Sequence, residues 1–121
     1  MTSNDEILFK KVESVILKHK LYLRHDMSRT LLDSYVHIPK NKFAPLFRAC
    51  SGKSFPDYIN SLRLDYAAKL LVDYPKYKIE GIARDCGIPV TQTFYRLFQA
   101  KFGVTPKEYR NRNCVTPSSH E

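Results

Sequence analysis

The chain has 121 residues, enough for one domain or for two small lobes that share a core, and its net charge is +8. Its 20 basic and 12 acidic residues favour a polyanionic partner, with nucleic acid ahead of a membrane surface. No apolar run approaches the roughly 20 residues of a membrane helix, and no signal peptide pattern opens the sequence, so neither feature is expected in these residues.

The apolar periodicity predicts an all-α fold of about seven helices, because no stretch alternates at period two for long enough to form a strand. Proline and glycine residues set the expected boundaries, as at Pro56, where a long helix begins, and at Pro75, where it ends. The predicted segments are a lead-in helix packed on the first subdomain (1–27), a first helix-turn-helix (28–54), a central connector helix (55–75), a second helix-turn-helix with a last helix (76–113), and a disordered tail (114–121).

One phrase occurs twice in the chain, 51 positions apart. "FAPLFRACSGKSFPDY" begins at Phe43, and "FYRLFQAKFGVTPKEY" begins at Phe94. The copies share phenylalanine at the first and fifth positions, leucine at the fourth, and then alanine, glycine, a hydroxyl residue and tyrosine at matched places. The shared apolar residues recur at helical spacing, which predicts the buried sides of two equivalent helices.

Each copy follows a short helix and a tight turn, which is the pattern of a helix-turn-helix. In the second copy, the small residue Ala83 allows close helix packing, and Gly87 permits a positive φ in the turn. Asp33 and His37 stand at the matching places of the first copy. A histidine there would need a strained positive φ, so we expect a looser first unit.

The outward side of the second copy favours contact with nucleic acid. Around the start of its later helix, the residues that do not face inward are Thr91, Gln92, Thr93, Tyr95 and Arg96. Glutamine and arginine can form bidentate hydrogen bonds to adenine and guanine, and threonine or tyrosine can contact thymine or phosphate. The chain has no acidic residue between Asp85 and Glu108, which suits a surface pressed against phosphates.

Three segments carry a resemblance to a known family: "DYINSLRLDYAAKLL", "IEGIARDCG" and "FYRLFQAKFGVTPKEYR". Together they resemble the DNA-binding domain of the AraC/XylS family of bacterial transcription regulators, over residues 28–112. The resemblance implies seven helices, with two helix-turn-helix units joined by a long central helix. It also implies that each unit places its second helix in one of two successive major grooves, about 34 Å apart. A connector of about 30 Å is of the right order for that spacing.

Carried over by position, the resemblance implies a set of DNA contacts. Base readout would fall on Thr91, Gln92, Tyr95 and Arg96 in the second unit and on Asn41 and Lys42 in the first. Phosphate contacts would fall on Lys40, Arg48, Thr93 and Lys107, the last at a helix N-terminus where backbone N–H groups favour an anion.

Pro45 departs from the expected pattern of the first unit. Inside a regular helix it would remove a hydrogen bond and cost about 3 kcal/mol. Either this helix begins late, near Asn41, so that Pro45 falls in its first turn, or it is bent. Ala44 and Pro45 bring no side-chain donor, so the first unit is expected to hold phosphates more than it reads bases.

No pattern of an enzyme, a metal site or a cofactor site is found in the sequence. The three cysteines lack Cys-x-x-Cys spacing, the four histidines are scattered, and there is no glycine-rich phosphate loop. The alternative to DNA binding is a helical module that binds RNA or protein without base-specific readout. The expected partners are duplex DNA, with RNA polymerase as a further candidate, and the expected location is the bacterial cytoplasm at the nucleoid. No membrane contact is expected, and any sensor or dimerisation region is expected outside this chain.

Overall fold

A computed structural model describes residues 3–113, and within that range every regular element is helical. The predicted all-α fold with seven helices is therefore confirmed, whereas the predicted disorder of the tail concerns residues outside the described range. None of the described helices is both long and apolar enough to cross a membrane. The α-helices are α1 Ser3–Lys18, α2 Arg29–Asp33, α3 Phe43–Ser51, α4 Phe55–Asp73, α5 Ile79–Asp85, α6 Thr91–Phe102 and α7 Pro106–Asn113.

The chain divides into two compact units, Met1–Leu62 and Arg63–Glu121, with the boundary inside α4. The first unit has an aromatic core in which Phe47 is fully buried, with its ring centroid 5.4 Å from that of Phe9 and 5.4 Å from that of Tyr58. The Tyr58 hydroxyl donates a hydrogen bond to Glu13 Oε2 at 3.1 Å and so joins α4 to α1. The lead-in helix is thus part of the first unit's core.

The second unit has its own core around α6. Phe94 and Phe98 are fully buried there, together with Ile82 and Ala83 of α5 and Leu71 of α4. Apolar contacts of this kind supply most of the free energy that holds a small helical unit together. Each unit therefore buries a separate set of side chains, and α6 is fixed by its inner face.

The residues that the two copies share have the same structural roles in both units. Gly52 and Gly103 end α3 and α6 in the left-handed conformation, at φ 75° and φ 77°. The N–H of Gly52 donates to Arg48 O at 3.0 Å, and that of Gly103 donates to Gln99 O at 2.8 Å. Glycine stabilises helix ends of this kind, because the left-handed conformation strains residues that have a Cβ atom.

The repeated hydroxyl residue caps the helix that follows in each unit. Ser54 Oγ accepts from the N–H of Asp57 at 3.3 Å, and Thr105 Oγ1 accepts from the N–H of Glu108 at 3.1 Å. The repeated tyrosine then packs on the repeated phenylalanine: the Phe47 and Tyr58 centroids are 5.4 Å apart, and the equivalent pair in the second unit is 5.5 Å apart. The residues that the two copies share therefore stabilise the fold of each unit.

One expectation about the first unit is wrong. His37 does not have a positive φ. Among the non-glycine residues of 3–113, a positive φ is found at Lys20 alone. The chain instead leaves α2 through consecutive turns, and His37 Nδ1 lies 3.1 Å from Asp33 Oδ1. The first unit therefore makes its turn without the strain that the alignment with Gly87 suggested.

Candidate nucleic-acid interface

The turn that precedes α6 is set by α5 and its C-terminal cap. The N–H of Gly87, at φ 96°, donates to Arg84 O at 3.1 Å, and the N–H of Ile88 donates to Ala83 O at 2.9 Å. This pair of hydrogen bonds forms a Schellman motif, which closes a helix and redirects the chain. Ala83 and Ile88 are buried beneath it, so the predicted roles of the small residue and the glycine are confirmed.

The outer side of α6 carries hydrogen-bonding side chains. Gln92, Tyr95 and Arg96 are exposed, and they lie opposite the buried Phe94 and Phe98. Their spacing of three and four residues places them on one face of the helix. Glutamine and arginine on such a face can each present two hydrogen-bonding atoms to one partner, which is a geometry that base edges match.

Two predicted contact residues have less freedom than expected. Thr91 and Thr93 are half-buried at the start of α6, whereas Gln92 between them is exposed. Short side chains in that setting suit contacts made at close range. They are less suited than Gln92 to reaching into a groove.

Gln99 is an exposed residue of α6 that was not among the contacts predicted from the sequence. It lies one turn beyond Arg96, on the same side of α6. The signal was present in the repeat, because position 99 is equivalent to Arg48 of the first copy, 51 residues earlier. The exposed face therefore continues from Gln92 to Gln99.

The second helix of the first unit begins late, which was one of the two alternatives that the sequence left open. Lys40–Lys42 form a single 3₁₀ turn, and α3 begins at Phe43 with Lys42 as its N-cap. Pro45 consequently lies in the first turn, where a missing N–H costs little, so the first of the two alternatives is confirmed. The predicted contact residues Lys40 and Asn41 are exposed in the 3₁₀ turn.

The exposed side of α3 is poor in hydrogen-bonding groups. Ala44, Pro45 and Ala49 lie there beside Arg48, which is the single charged side chain of the helix. A surface cleft of about 230 Å³ runs along this side, and its lining residues are Asp5, Asn41, Lys42, Pro45, Leu46 and Ala49. Within the first unit, this surface offers few atoms that could distinguish one base from another.

Lys42 makes an ion pair within the first unit. Its Nζ lies 3.4 Å from Asp5 Oδ1 in the first turn of α1. More than half of the Lys42 side chain is exposed, whereas Asp5 is 23% exposed. Lys42, a predicted base contact, is therefore held beside a carboxylate. A polyanion that binds Lys42 would also have to approach this negative charge.

The start of α7 differs from the expectation of free N–H groups. The carboxylate of Glu108 accepts from the N–H of Thr105 at 2.9 Å, and the N–H of Glu108 donates to Thr105 Oγ1. These hydrogen bonds form a capping box, and the bond from Thr105 holds the pKa of Glu108 below its usual value. Two donors are thus already satisfied, and Lys107 is exposed next to them.

The histidine, cysteine and acidic side chains of residues 3–113 do not cluster at a metal-binding geometry. No group of three or more histidine, cysteine or acidic side chains is placed to hold a metal ion within residues 3–113. Burial raises the pKa of Cys86 to about 11, so this thiol stays protonated at neutral pH.

The sequence profile of a family described as "Helix-turn-helix domain" matches residues 32–112, which is more than half of the chain. The chain belongs to the AraC/XylS family. Within that family it is a DNA-binding output domain of a transcription regulator, and the matched residues run from the first helix-turn-helix through α7.

The AraC/XylS domain is similar to bacterial regulators in sequence and to solved domains in fold. The regulatory protein PocR of Salmonella typhimurium is 31% identical over 100 residues, which cover 80% of this chain and 33% of PocR. The C-terminal domain of AraT, a response regulator from Geobacillus stearothermophilus, has a TM-score of 0.79 at 21% identity, covering 91% of this chain and 88% of that one.

An AraC-type regulator from Chromobacterium violaceum has the same fold, with a TM-score of 0.78 at 21% identity, over 96% of this chain and 99% of that one. The chain spans between about a quarter and a third of the length of the curated relatives that it matches. The comparisons thus concern the AraC/XylS domain itself.

Proposed function

We propose that this domain binds duplex DNA in a sequence-specific way and that α6 supplies most of the base readout. Thr91, Gln92, Tyr95 and Arg96 are the proposed base contacts of the second unit. The observation that carries the proposal is the composition of the exposed face of α6, which combines amide, hydroxyl and guanidinium groups with no acidic residue from Cys86 to Lys107. Such a face matches both the base edges and the phosphates of a major groove.

The first unit is proposed to contribute mainly affinity. Asn41 and Lys42 are its proposed base contacts, and Lys40 and Arg48 its proposed phosphate contacts. In support, alanine and proline occupy the exposed positions of α3 that correspond to Tyr95 and Arg96 in α6. Lysine and arginine attract any phosphate, so this contribution would be similar for all sequences and would weaken with salt.

We propose that the helices α3 and α6 enter successive major grooves. The test is the selection of bound sequences from a pool of random duplexes. Two short motifs about ten base pairs apart, one helical turn, are expected if both units read bases. A single motif with an unconstrained neighbour is expected if α6 alone specifies. Recovery of no shared motif would contradict sequence-specific binding.

An RNA- or protein-interaction module without base readout is not favoured as the function. It is less well supported because most aromatic side chains are buried in the two cores, leaving few exposed rings on which single-stranded bases could stack. Competition at one salt concentration separates the candidates. Duplex DNA is expected to displace single-stranded RNA and acidic protein, and the reverse order would favour the alternative.

Sensing, dimerisation and contact with RNA polymerase are functions to which we assign no residue of this chain. We propose that sensing and dimerisation belong to regions outside residues 1–121 and that RNA polymerase is a further partner. The relatives are three to four times longer than the matched region, which leaves room for such regions. The proposed place of action is the bacterial cytoplasm at the nucleoid, and no catalytic role is proposed.

Lys107 and Thr93 are the proposed phosphate contacts of the second unit. We expect Lys107→Ala to weaken binding to every duplex by a similar factor and to lower the salt slope of the affinity by about 1, because one phosphate contact is lost. Titrations at several salt concentrations measure both quantities. Lys10→Ala, which removes the same charge from α1, is the control. A change in sequence preference in the Lys107 variant would contradict the assigned role.

Asp5 is proposed to oppose DNA binding by the first unit, since its carboxylate holds Lys42 at 3.4 Å. We expect Asp5→Asn to tighten binding to every duplex about two- to fivefold, which corresponds to an exposed ion pair worth up to about 1 kcal/mol. Glu6→Gln, in the same helical turn, is the matched control. Equal effects of the two changes would show that only net charge matters.

A further inference from the structure

Val90 occupies a position where the second unit could have used a capping residue. It is the N-cap of α6, with φ −81° and ψ 109°, and its side chain makes no capping hydrogen bond. The hydroxyl residues Ser28, Ser54 and Thr105 cap α2, α4 and α7, whereas α3 and α5 begin, like α6, without a side-chain cap, at Lys42 and Lys78. Val90 differs from these two lysines in being apolar. Valine is among the least favourable N-cap residues, because it offers no acceptor for the N–H groups of the first turn.

Core packing does not explain the valine either. Its side chain is 61% exposed and does not belong to the buried cluster of the second unit. Single exposed apolar residues are common on protein surfaces. Val90, however, directly precedes Thr91 and Gln92, two of the proposed base contacts. An apolar group therefore stands at the end of a surface made mostly of hydrogen-bonding groups.

The major groove contains one apolar group among the standard bases, the C5-methyl group of thymine. We propose that the two methyl groups of Val90 contact the C5-methyl group of a thymine and so specify a T·A pair at one end of the sequence that α6 reads. This assignment rests on the proposed binding of α6 in a major groove. It accounts for an apolar residue at a place that favours a capping hydroxyl group.

The proposal is tested with duplexes that differ by single methyl groups. A duplex with a sequence selected from a random pool is prepared with each thymine replaced in turn by deoxyuridine, which lacks the C5-methyl group alone. One replacement is expected to weaken binding of the wild-type chain about threefold to tenfold. The same replacement is expected to have a clearly smaller effect on Val90→Ala, which keeps only the Cβ methyl group at this position. Ile7→Ala, which truncates an exposed apolar side chain of α1, should respond like the wild type.

Val90→Ser separates the proposed contact from a structural role. A serine at the N-cap is expected to raise the unfolding temperature of the domain, because its oxygen can accept from the first turn of α6. The same variant is expected to lose the methyl-dependent part of its affinity and its preference for thymine at that position. If Val90 had only a structural role, Val90→Ser would change the unfolding temperature and leave the preference for thymine unchanged.

The outcomes distinguish this inference from the function on which it rests. If the wild-type chain selects a sequence but no deoxyuridine replacement distinguishes it from Val90→Ala, the thymine contact is wrong and sequence-specific binding stands. A selected site without thymine would have the same meaning. If no sequence is selected at all, the proposed function fails, and the contact fails with it.

Discussion

Replacing Arg96 by alanine is expected to lower the affinity for the selected duplex by about 1–3 kcal/mol and to relax the preference at one base pair. The guanidinium group can form two hydrogen bonds to guanine, and its position on the exposed face of α6 leaves it free to do so. The side chain contributes little to the core, so the unfolding temperature should stay close to that of the wild type. Binding titrations against the selected duplex and its single-base variants measure both effects.

Arg96→Lys is the matched variant, since it keeps the charge but cannot reproduce a bidentate contact. We expect it to retain most of the affinity for unrelated duplexes and to lose discrimination at the same base pair. If Arg96→Ala instead weakened all duplexes equally, Arg96 would be a phosphate contact. The assignment of base readout would then shift to Gln92 and Gln99.

Arg110→Ala is expected to destabilise the second unit by about 2–4 kcal/mol. The Arg110 Nε donates to Leu71 O at 2.9 Å, and its Nη2 donates to Tyr74 O at 3.1 Å and to Tyr77 O at 2.8 Å. Within α4 the partner of the Leu71 carbonyl would be the N–H of residue 75, and Pro75 has none. Arg110 therefore supplies a donor to the Leu71 carbonyl, which Pro75 leaves without its helical partner, and it also ties down the turn from Tyr74 to Tyr77.

Thermal or denaturant unfolding of the full chain measures this loss. Arg112→Ala is the matched control, because it removes an exposed arginine from the same helix. The control is expected to change the free energy of unfolding by no more than about 0.5 kcal/mol. Equal destabilisation by the two variants would mean that the charge, rather than the three carbonyl contacts, explains the effect.

The parts of the fold that depend on nearby residues could be predicted from the sequence. The apolar spacing in α3 and α6 predicted which phenylalanines are buried, and Gly52 and Gly87 marked turns that the structure contains. Local pattern sufficed where a helix has one clearly apolar side.

Other features required contacts between residues far apart in the chain. The bond from Arg110 to Leu71 joins residues 39 positions apart, and Lys42 meets Asp5 across 37 positions. No local spacing signals such pairs, because each depends on how helices pack. Gln99 was missed for another reason. The predicted contacts in α6 were confined to the residues around the start of the helix, whereas Gln99 lies near its end.

The division of α6 into two sides has a consequence for how the domain can change its target. Phe94 and Phe98 are fully buried, whereas Gln92, Tyr95 and Arg96 are exposed. Substitutions at exposed positions usually alter stability by less than about 0.5 kcal/mol, so the outer letters can vary while the domain still folds. If α6 reads bases as proposed, a small library varied at those three positions is expected to yield folded domains that bind new DNA sequences.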